Sequence, residues 1–303
     1  MRILFMGTTD FAVSCLEALA KAGYEVAAVV TKTDRPKNRG MKMVFSPVKE
    51  YALAAGLPVL QPESLKTGET QENLRAFGAD LFAVVAYGKL LPKAVLDMPR
   101  LGCINVHASL LPKYRGAAPI QWAVLNGERE TGVSVMYLAE EMDAGDVISA
   151  DSLEIAPGEP FGSVYERLKP LGSGLLLRTL PAIEAGTAKA SPQDPALVTF
   201  APPIRKEDTL LDFTLSPERL CNRICGFDPK PGARAIIGES EYKLFSPSVA
   251  GNETGLTPGS VVSAGKEGLV LACTGGTVLV REIQAPGGKR MPVQDYLRGH
   301  SLP

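Results

Sequence analysis

Three side-chain types in this chain could do chemistry together: the amide of Asn105, the imidazole of His107 and the carboxylate of Asp143. Asn105 and His107 close an apolar run, Leu101 to His107, which then breaks into a segment punctuated by Pro112 and Gly116. The period of two along a strand puts both side chains on one face, within reach of one small reacting group. His107 is one of only two histidines in the chain. Asp143 lies in Glu141–Asp146, a glycine-containing loop after another apolar strand, which is expected to leave the sheet at the same edge. An amide N–H and an imidazole can donate to an oxygen as it gains negative charge. A carboxylate can orient and charge the imidazole, or help remove a proton from an attacking nitrogen. Such a set suits acyl or one-carbon transfer to an amine, with no Ser or Cys nucleophile. The plainer alternative is a buried histidine satisfied by a neighbouring amide.

The elements that must position these groups are legible in order. Arg2 to Met6 is a short apolar strand, followed by the turn Gly7–Asp10 and a helix from Phe11 to Ala22, with Asp10 as N-cap and Gly23 at C′. A strand from Glu25 to Thr31 completes a strand-helix-strand unit, which implies a parallel sheet with a right-handed crossover. Its turn holds one glycine, where the dinucleotide fingerprint needs three, so a nucleotide site is not the reading taken. Helices follow at Ser46–Gly56, Glu69–Phe77 and Ala117–Asn126, with strands at Leu57–Leu60, Asp80–Ala86, Leu101–His107, Thr131–Leu138 and Asp146–Ile155. A helix from about Pro160 to Ala185 is expected to kink or break at Pro170. The fold class is α/β: a Rossmann-like, mostly parallel sheet with helices on both faces over residues 1–186. Residues 187–206, rich in Ala, Pro, Ser, Thr and Asp, are the expected linker. Residues 207–303 carry a helix, Pro217 to Cys225, and five short strands with turn signals, the pattern of a small β-barrel.

A length of 303 residues suits two domains, and 45% hydrophobic with 21% charged residues is ordinary for a globular protein. The longest apolar runs, such as Leu81–Ala86, fall far short of the roughly 20 residues of a membrane span. No targeting segment stands at the N-terminus, and the odd count of five cysteines reads as reduced, buried thiols, so a cytoplasmic location is expected. Cys221 and Cys225 are spaced i, i+4 without further ligands, so no metal site is expected. A net charge of −1 does not announce a nucleic-acid binder, but charge is uneven: Lys32, Arg35, Lys37, Arg39 and Lys42 stand against Asp34 alone. Pro36 and Gly40 deny this stretch a regular element, leaving a long exposed loop, either simply solvated or suited to gripping a polyanion.

Asn105-x-His107, Ser109–Leu110–Leu111–Pro112, Arg115–Gly116 and Asp143-x-Gly145–Asp146 together resemble the signature of the folate-dependent formyltransferases. The likeness extends end to end to the branch of that family that acts on methionyl-tRNA. It implies that Asn105, His107 and Asp143 are the catalytic set, and that the formyl donor is 10-formyltetrahydrofolate, with no metal. It implies folate contacts at Ser109, Leu110, Leu111, Pro112 and Asp143, and a pterin pocket lined by backbone around Val85, Ala86, Tyr87, Gly88 and Leu90. The acceptor would be methionyl initiator tRNA, its acceptor end met by a basic insertion carrying Arg35, Lys37, Arg39 and Lys42, with Arg39 on the key arginine. Arg205 and Lys206 at the domain junction would add tRNA contacts, the barrel would be OB-like, and the protein a monomer. Where this family often carries Asn-Pro-Trp-Pro, this chain has Asp228–Pro229–Lys230–Pro231, replacing any tryptophan stack with a lysine. The alternatives carried alongside are a formyltransferase for a sugar amine or purine precursor, a formyltetrahydrofolate hydrolase, and a non-catalytic RNA-binding protein.

Overall fold

A computed structural model describes residues 1–37, 42–252 and 255–302. In chain order its regular elements begin with β1 (Arg2–Gly7), α1 (Asp10–Lys21), β2 (Glu25–Val30), β3 (Arg35–Lys37), β4 (Lys42–Val44), α2 (Pro47–Ala54), β5 (Val59–Leu60) and α3 (Gly68–Ala76). They continue with β6 (Leu81–Val85), α4 (Lys93–Leu96), β7 (Cys103–His107), β8 (Arg115–Gly116), α5 (Pro119–Leu125), β9 (Glu130–Tyr137), β10 (Val147–Glu154) and α6 (Phe161–Glu184). The remainder are β11 (Phe200–Ala201), α7 (Pro217–Gly226), β12 (Ala233–Ile237), β13 (Ser240–Gly251), β14 (Val261–Gly265), β15 (Gly268–Cys273), β16 (Gly276–Gln284), β17 (Met291–Pro292) and α8 (Val293–Tyr296). These group into two compact units, Met1–Ala117 with Gly132–Leu153 and Arg167–Phe200, and Ala118–Thr131 with Glu154–Glu166 and Ala201–Pro303.

The first unit is built on a seven-stranded sheet in the order β10-β9-β7-β6-β1-β2-β5. The pairs β1–β2, β1–β6, β2–β5 and β6–β7 are parallel, as apolar runs separated by helices require. Alternation sorts each strand: Leu4, Met6, Val30, Phe82, Val84 and Cys103 pack on one face with Leu65, Leu74 and Val95 from α3, α4 and their approach. Burying each such side chain contributes about 1.5–3 kcal/mol. On the opposite face Gly172 of α6 lies so close that an added Cβ would meet the Phe11 ring at 3.1 Å and Val106 at 3.4 Å. Helices therefore cover both faces, and Asn105 and His107 share the face of Cys103.

Local details depart from the sequence reading in informative ways. Thr9, in extended conformation, is the N-cap of α1, and Asp10 is its first helical residue, where its charge meets the helix dipole and Lys169 at 3.3 Å. Pro170 and Pro181 both sit inside a continuous 24-residue α6 rather than ending it. The basic stretch is not wholly irregular, since β3 and β4 pair antiparallel, Pro36 opposite Met43.

A compact polar brace holds the root of that pair. Lys49 donates to Asp34 at 2.5 Å and to Gln61 at 2.7 Å, Gln61 donates back to Asp34 at 2.8 Å, and the Lys49 ammonium lies 4.0 Å over the Phe45 ring. The hydrogen bonds from Lys49 and Gln61 hold the Asp34 carboxyl below its ordinary value. A carboxyl depressed in the folded state stabilises fully above the unfolded value of about 3.9 and loses that contribution as pH falls through the folded value. Asp34→Asn should therefore lower Tm at neutral pH and flatten its decline below about pH 4, read by thermal melts across a pH series.

The second unit coils an antiparallel sheet, β12-β13-β16-β15-β14 with β17 against β16, around Leu220, Ile224, Phe227, Leu244, Leu271 and Val280. This small barrel has the five expected strands and β17 besides. Arg290, from the basic loop after β16, is consumed internally: it meets Asp228 at 2.6 Å and Glu282 at 2.5 Å, and lies 4.2 Å from the Phe245 ring centre. The aspartate at position 228 thus completes an ion pair within the unit.

Candidate active site

Parallel pairing places Val84 opposite Asn105, so the turn after β6 and the end of β7 leave the sheet at one edge, where open α/β sheets bind ligands. The sequence reading sends Asp143 to that edge directly, and the structure corrects the route. β9 runs antiparallel to β7, with His107 opposite Ser134 and Tyr137 opposite Ile104, so the chain exits beside Ile104. The loop after β9 then folds back and closes, Tyr137 N–H donating to Asp146 O at 3.0 Å. Gly145 permits the tight return, for a Cβ there would lie 1.8 Å from the Tyr137 carbonyl oxygen.

The return brings Asp143 to His107. Asp143 Oδ2 lies 3.7 Å from His107 Nδ1 and accepts the Gly116 N–H at 2.8 Å. His107, 6% exposed, has its Nε2 2.9 Å from the Tyr114 carbonyl. A carbonyl only accepts, so Nε2 carries a hydrogen and Nδ1 is the nitrogen facing the carboxylate. Two residues in this constellation are held at positive φ, Tyr114 at 61° and Asp143 at 53°, a conformation that costs non-glycine residues energy and is over-determined here by the bonds around it. Asn105 is half-buried on the same strand face, and among the described residues its side-chain amide has no hydrogen-bond partner.

The segment after β7 is pinned by hydroxyls. Ser109 donates to Lys113 O at 2.6 Å, while Ser134 donates to Ser109 O at 2.8 Å and accepts the Leu111 N–H at 3.1 Å. Ser109 is buried, and Leu110, Leu111 and Pro112 are half-exposed. Val85, the last residue of β6, and Tyr87 are buried, whereas Ala86, Gly88 and Leu90 are exposed, with Leu90 68% exposed. The Tyr87 side chain belongs to the core, and its carbonyl accepts the Thr8 hydroxyl at 3.1 Å. Burial pushes the Tyr87 phenol up to about 12.

Of the basic residues singled out, Arg39 and the side chains of Arg35, Lys37 and Lys42 lie outside the described residues. Arg205 and Lys206 are exposed in the second unit, the Arg205 N–H bonding Asp208 at 2.7 Å. Among the described residues no group of three or more His, Cys, Asp or Glu could hold a metal ion. Among them, too, no helix is long and apolar enough to cross a membrane.

Comparison with known proteins bears directly on this geometry. Residues 1–180 match the formyl transferase family model and residues 203–301 the formyl transferase C-terminal domain model. The methionyl-tRNA formyltransferase of Moorella thermoacetica is 45% identical over 302 residues, covering 100% of this chain and 97% of that protein. That of Desulfotalea psychrophila is 47% identical, covering 100% and 94%. The chain belongs to the methionyl-tRNA formyltransferase family. The wider fold also appears in HypX from Aquifex aeolicus, solved with tetrahydrofolic acid, at a TM-score of 0.68 and 20% identity. That match covers 98% of this chain, which spans about half of HypX, 47%. An N-formyltransferase from Helicobacter canadensis, solved with folinic acid and dTDP-3-aminofucose, aligns at a TM-score of 0.65 and 16% identity, covering 95% of this chain and 99% of that one.

Within this methionyl-tRNA formyltransferase family member, sequence reasoning passed over the residues that hold the site loops. Thr199 accepts the Tyr114 N–H at 2.9 Å, and Gln193 donates to Asp143 O at 2.8 Å and Gly145 O at 2.7 Å. Both come from a stretch whose composition reads as linker. Nothing periodic marks them, because their partners lie far away in the chain.

Proposed function

We propose that this chain transfers the formyl group of 10-formyltetrahydrofolate to the α-amino group of methionine esterified to initiator tRNA, giving formylmethionyl-tRNA for translation initiation. The observation that carries this reading is the convergence of His107 and Asp143, 3.7 Å apart, beside Asn105 on one strand face, in a chain alike over its full length to methionyl-tRNA formyltransferases.

The chain's groups suit the donor: the Asn105 amide, which has no hydrogen-bond partner among the described residues, answers a formyl oxygen, and the exposed residues Ala86, Gly88 and Leu90 stand where backbone can answer the hydrogen-bonding edge of a pterin. When bound, 10-formyltetrahydrofolate supplies the electrophilic formyl carbon. Asn105 donates to the formyl oxygen as charge gathers there, and His107, whose Nε2 hydrogen is committed to Tyr114, adds a second donor only as the imidazolium, when Nδ1 also carries a hydrogen. Asp143 holds and charges the imidazole and, directly or through water, relays the proton the amine sheds to the folate nitrogen, whose bond to the formyl carbon breaks. Ser109, Leu110, Leu111 and Pro112 line the folate side together with Val85, Ala86, Tyr87, Gly88 and Leu90. Arg35, Lys37, Arg39 and Lys42 grip the acceptor end of the tRNA, and Arg205 and Lys206 add phosphate contacts. The protein works as a cytoplasmic monomer.

Formylation of charged initiator tRNA against a panel of small amines, sugar amines and water tests the acceptor. Charged tRNA should be used fastest, and a faster small amine or free hydrolysis would reverse the reading. Arg39→Ala and Lys42→Ala should weaken use of charged tRNA, most clearly at low salt, and leave folate binding nearly unchanged. Equal damage to both substrates would make that stretch structural instead.

A further inference from the structure

Resting on the reading of Asp143 as part of the catalytic set, we propose that Gln193 is a positioning residue for this reaction, setting the Asp143 carboxylate against His107 from a third segment of the chain. Both ends of its carboxamide are engaged. The Nε2 group donates to the carbonyls of Asp143 at 2.8 Å and Gly145 at 2.7 Å, and Oε1 accepts the Arg115 Nε hydrogen at 3.0 Å. Two carbonyls demand donors and a guanidinium demands an acceptor, so only one orientation of the amide satisfies all three. Gln193 thereby clamps the loop at Asp143 itself, the residue held at a φ of 53°, and two residues beyond it. It also ties that loop to Arg115, which is 7% exposed and follows directly on Tyr114, whose carbonyl orients the imidazole. One side chain thus links the carboxylate's backbone to the segment that fixes its partner. Arg115 adds an ion pair to Glu141, 3.5 Å away on the same loop. Without Gln193 the strained φ at Asp143 loses the bond to its own carbonyl, and the carboxylate, held then by the Gly116 N–H alone, drifts from the 3.7 Å approach to Nδ1.

The test is a double-mutant cycle on the full chain with charged initiator tRNA and 10-formyltetrahydrofolate. Gln193→Ala should lower kcat about 10- to 100-fold, the size of effect a roughly 1 Å misplacement produces, with both KM values within about twofold of wild type. Gln193→Glu keeps the side-chain volume and the Arg115 contact but turns an acceptor toward two carbonyls, so it should lose kcat similarly and guards against a folding failure of the alanine variant. Asp143→Asn alone should cost about 10²-fold or more, and adding Gln193→Ala to it should cost little further, because the role of Gln193 runs through Asp143. A merely structural residue would add its loss undiminished in that background. Such additivity, a loss confined to KM, or kcat within twofold of wild type in both Gln193 variants would overturn the inference while leaving the function intact. Full activity in Asp143→Asn would overturn both.

Discussion

His107→Ala and Asn105→Ala each lower the single-turnover rate of formyl transfer by about 10²–10³, the cost of losing one donor to a developing oxyanion. The expectation follows from what each side chain does in the folded chain. Asn105 has no hydrogen-bond partner among the described residues, so its removal orphans no other group and should barely change Tm. His107 is buried and bonded to the Tyr114 carbonyl, so its removal leaves an unsatisfied acceptor and a small void, costing about 1–3 kcal/mol. The pair therefore separates chemistry from folding: similar rate losses with unequal stability losses. Rapid-quench turnover with pre-bound charged tRNA, alongside thermal melts, reads both. Near wild-type rates in both variants would remove the amide and imidazole from the reaction.

Gly145→Ala should be the most damaging single methyl group in the first unit. Its Cβ would stand 1.8 Å from the Tyr137 carbonyl oxygen and 2.8 Å from the Tyr137 carbonyl carbon, both backbone atoms that cannot swing aside. The return loop must open, and with it the two hydrogen bonds from Gln193 and the seat of Asp143. A stability loss near or beyond the upper end of the about 1–3 kcal/mol seen for overpacking corresponds to a fall in Tm of roughly 6–12 °C. Activity should fall by about 10² even where the protein remains folded, because Asp143 is displaced. Gly158, in a turn where an added Cβ meets nothing within 4 Å, is the control for backbone strain, since its φ of 73° penalises alanine without any collision. If Gly145→Ala matched Gly158→Ala in rate and Tm, close packing of the return loop would not matter to the site.

Much of this protein is written in short-range pattern. The opening strand-helix-strand unit, the shared face of Asn105 and His107, and the five main barrel strands all follow from periodicity, because backbone geometry projects it onto faces locally. Ser46 before Pro47 marks the start of α2 for the same reason, its hydroxyl accepting the Lys49 N–H at 3.1 Å. The resemblance in Asn105-x-His107 and Ser109–Pro112 works at equally short range.

Strand direction, loop course and the pairing of distant polar groups belong to the tertiary structure. No local feature of Thr131–Leu138 says that β9 runs against β7, yet that direction makes Asp143 reach His107 by a folded-back loop. Gln193 and Asp143 are separated by 50 residues, so a stretch that looks like linker by composition becomes the clamp of the site only once the sheet is formed. Arg290 stands in a basic stretch of the sequence, and only the formed barrel brings Asp228 and Glu282 to it. Residue types and their periods thus determine which elements form and which face each side chain takes, since those depend on neighbours a few residues away. Which charges remain available, and which loop holds which acid, depends on energies that exist only after remote segments have packed.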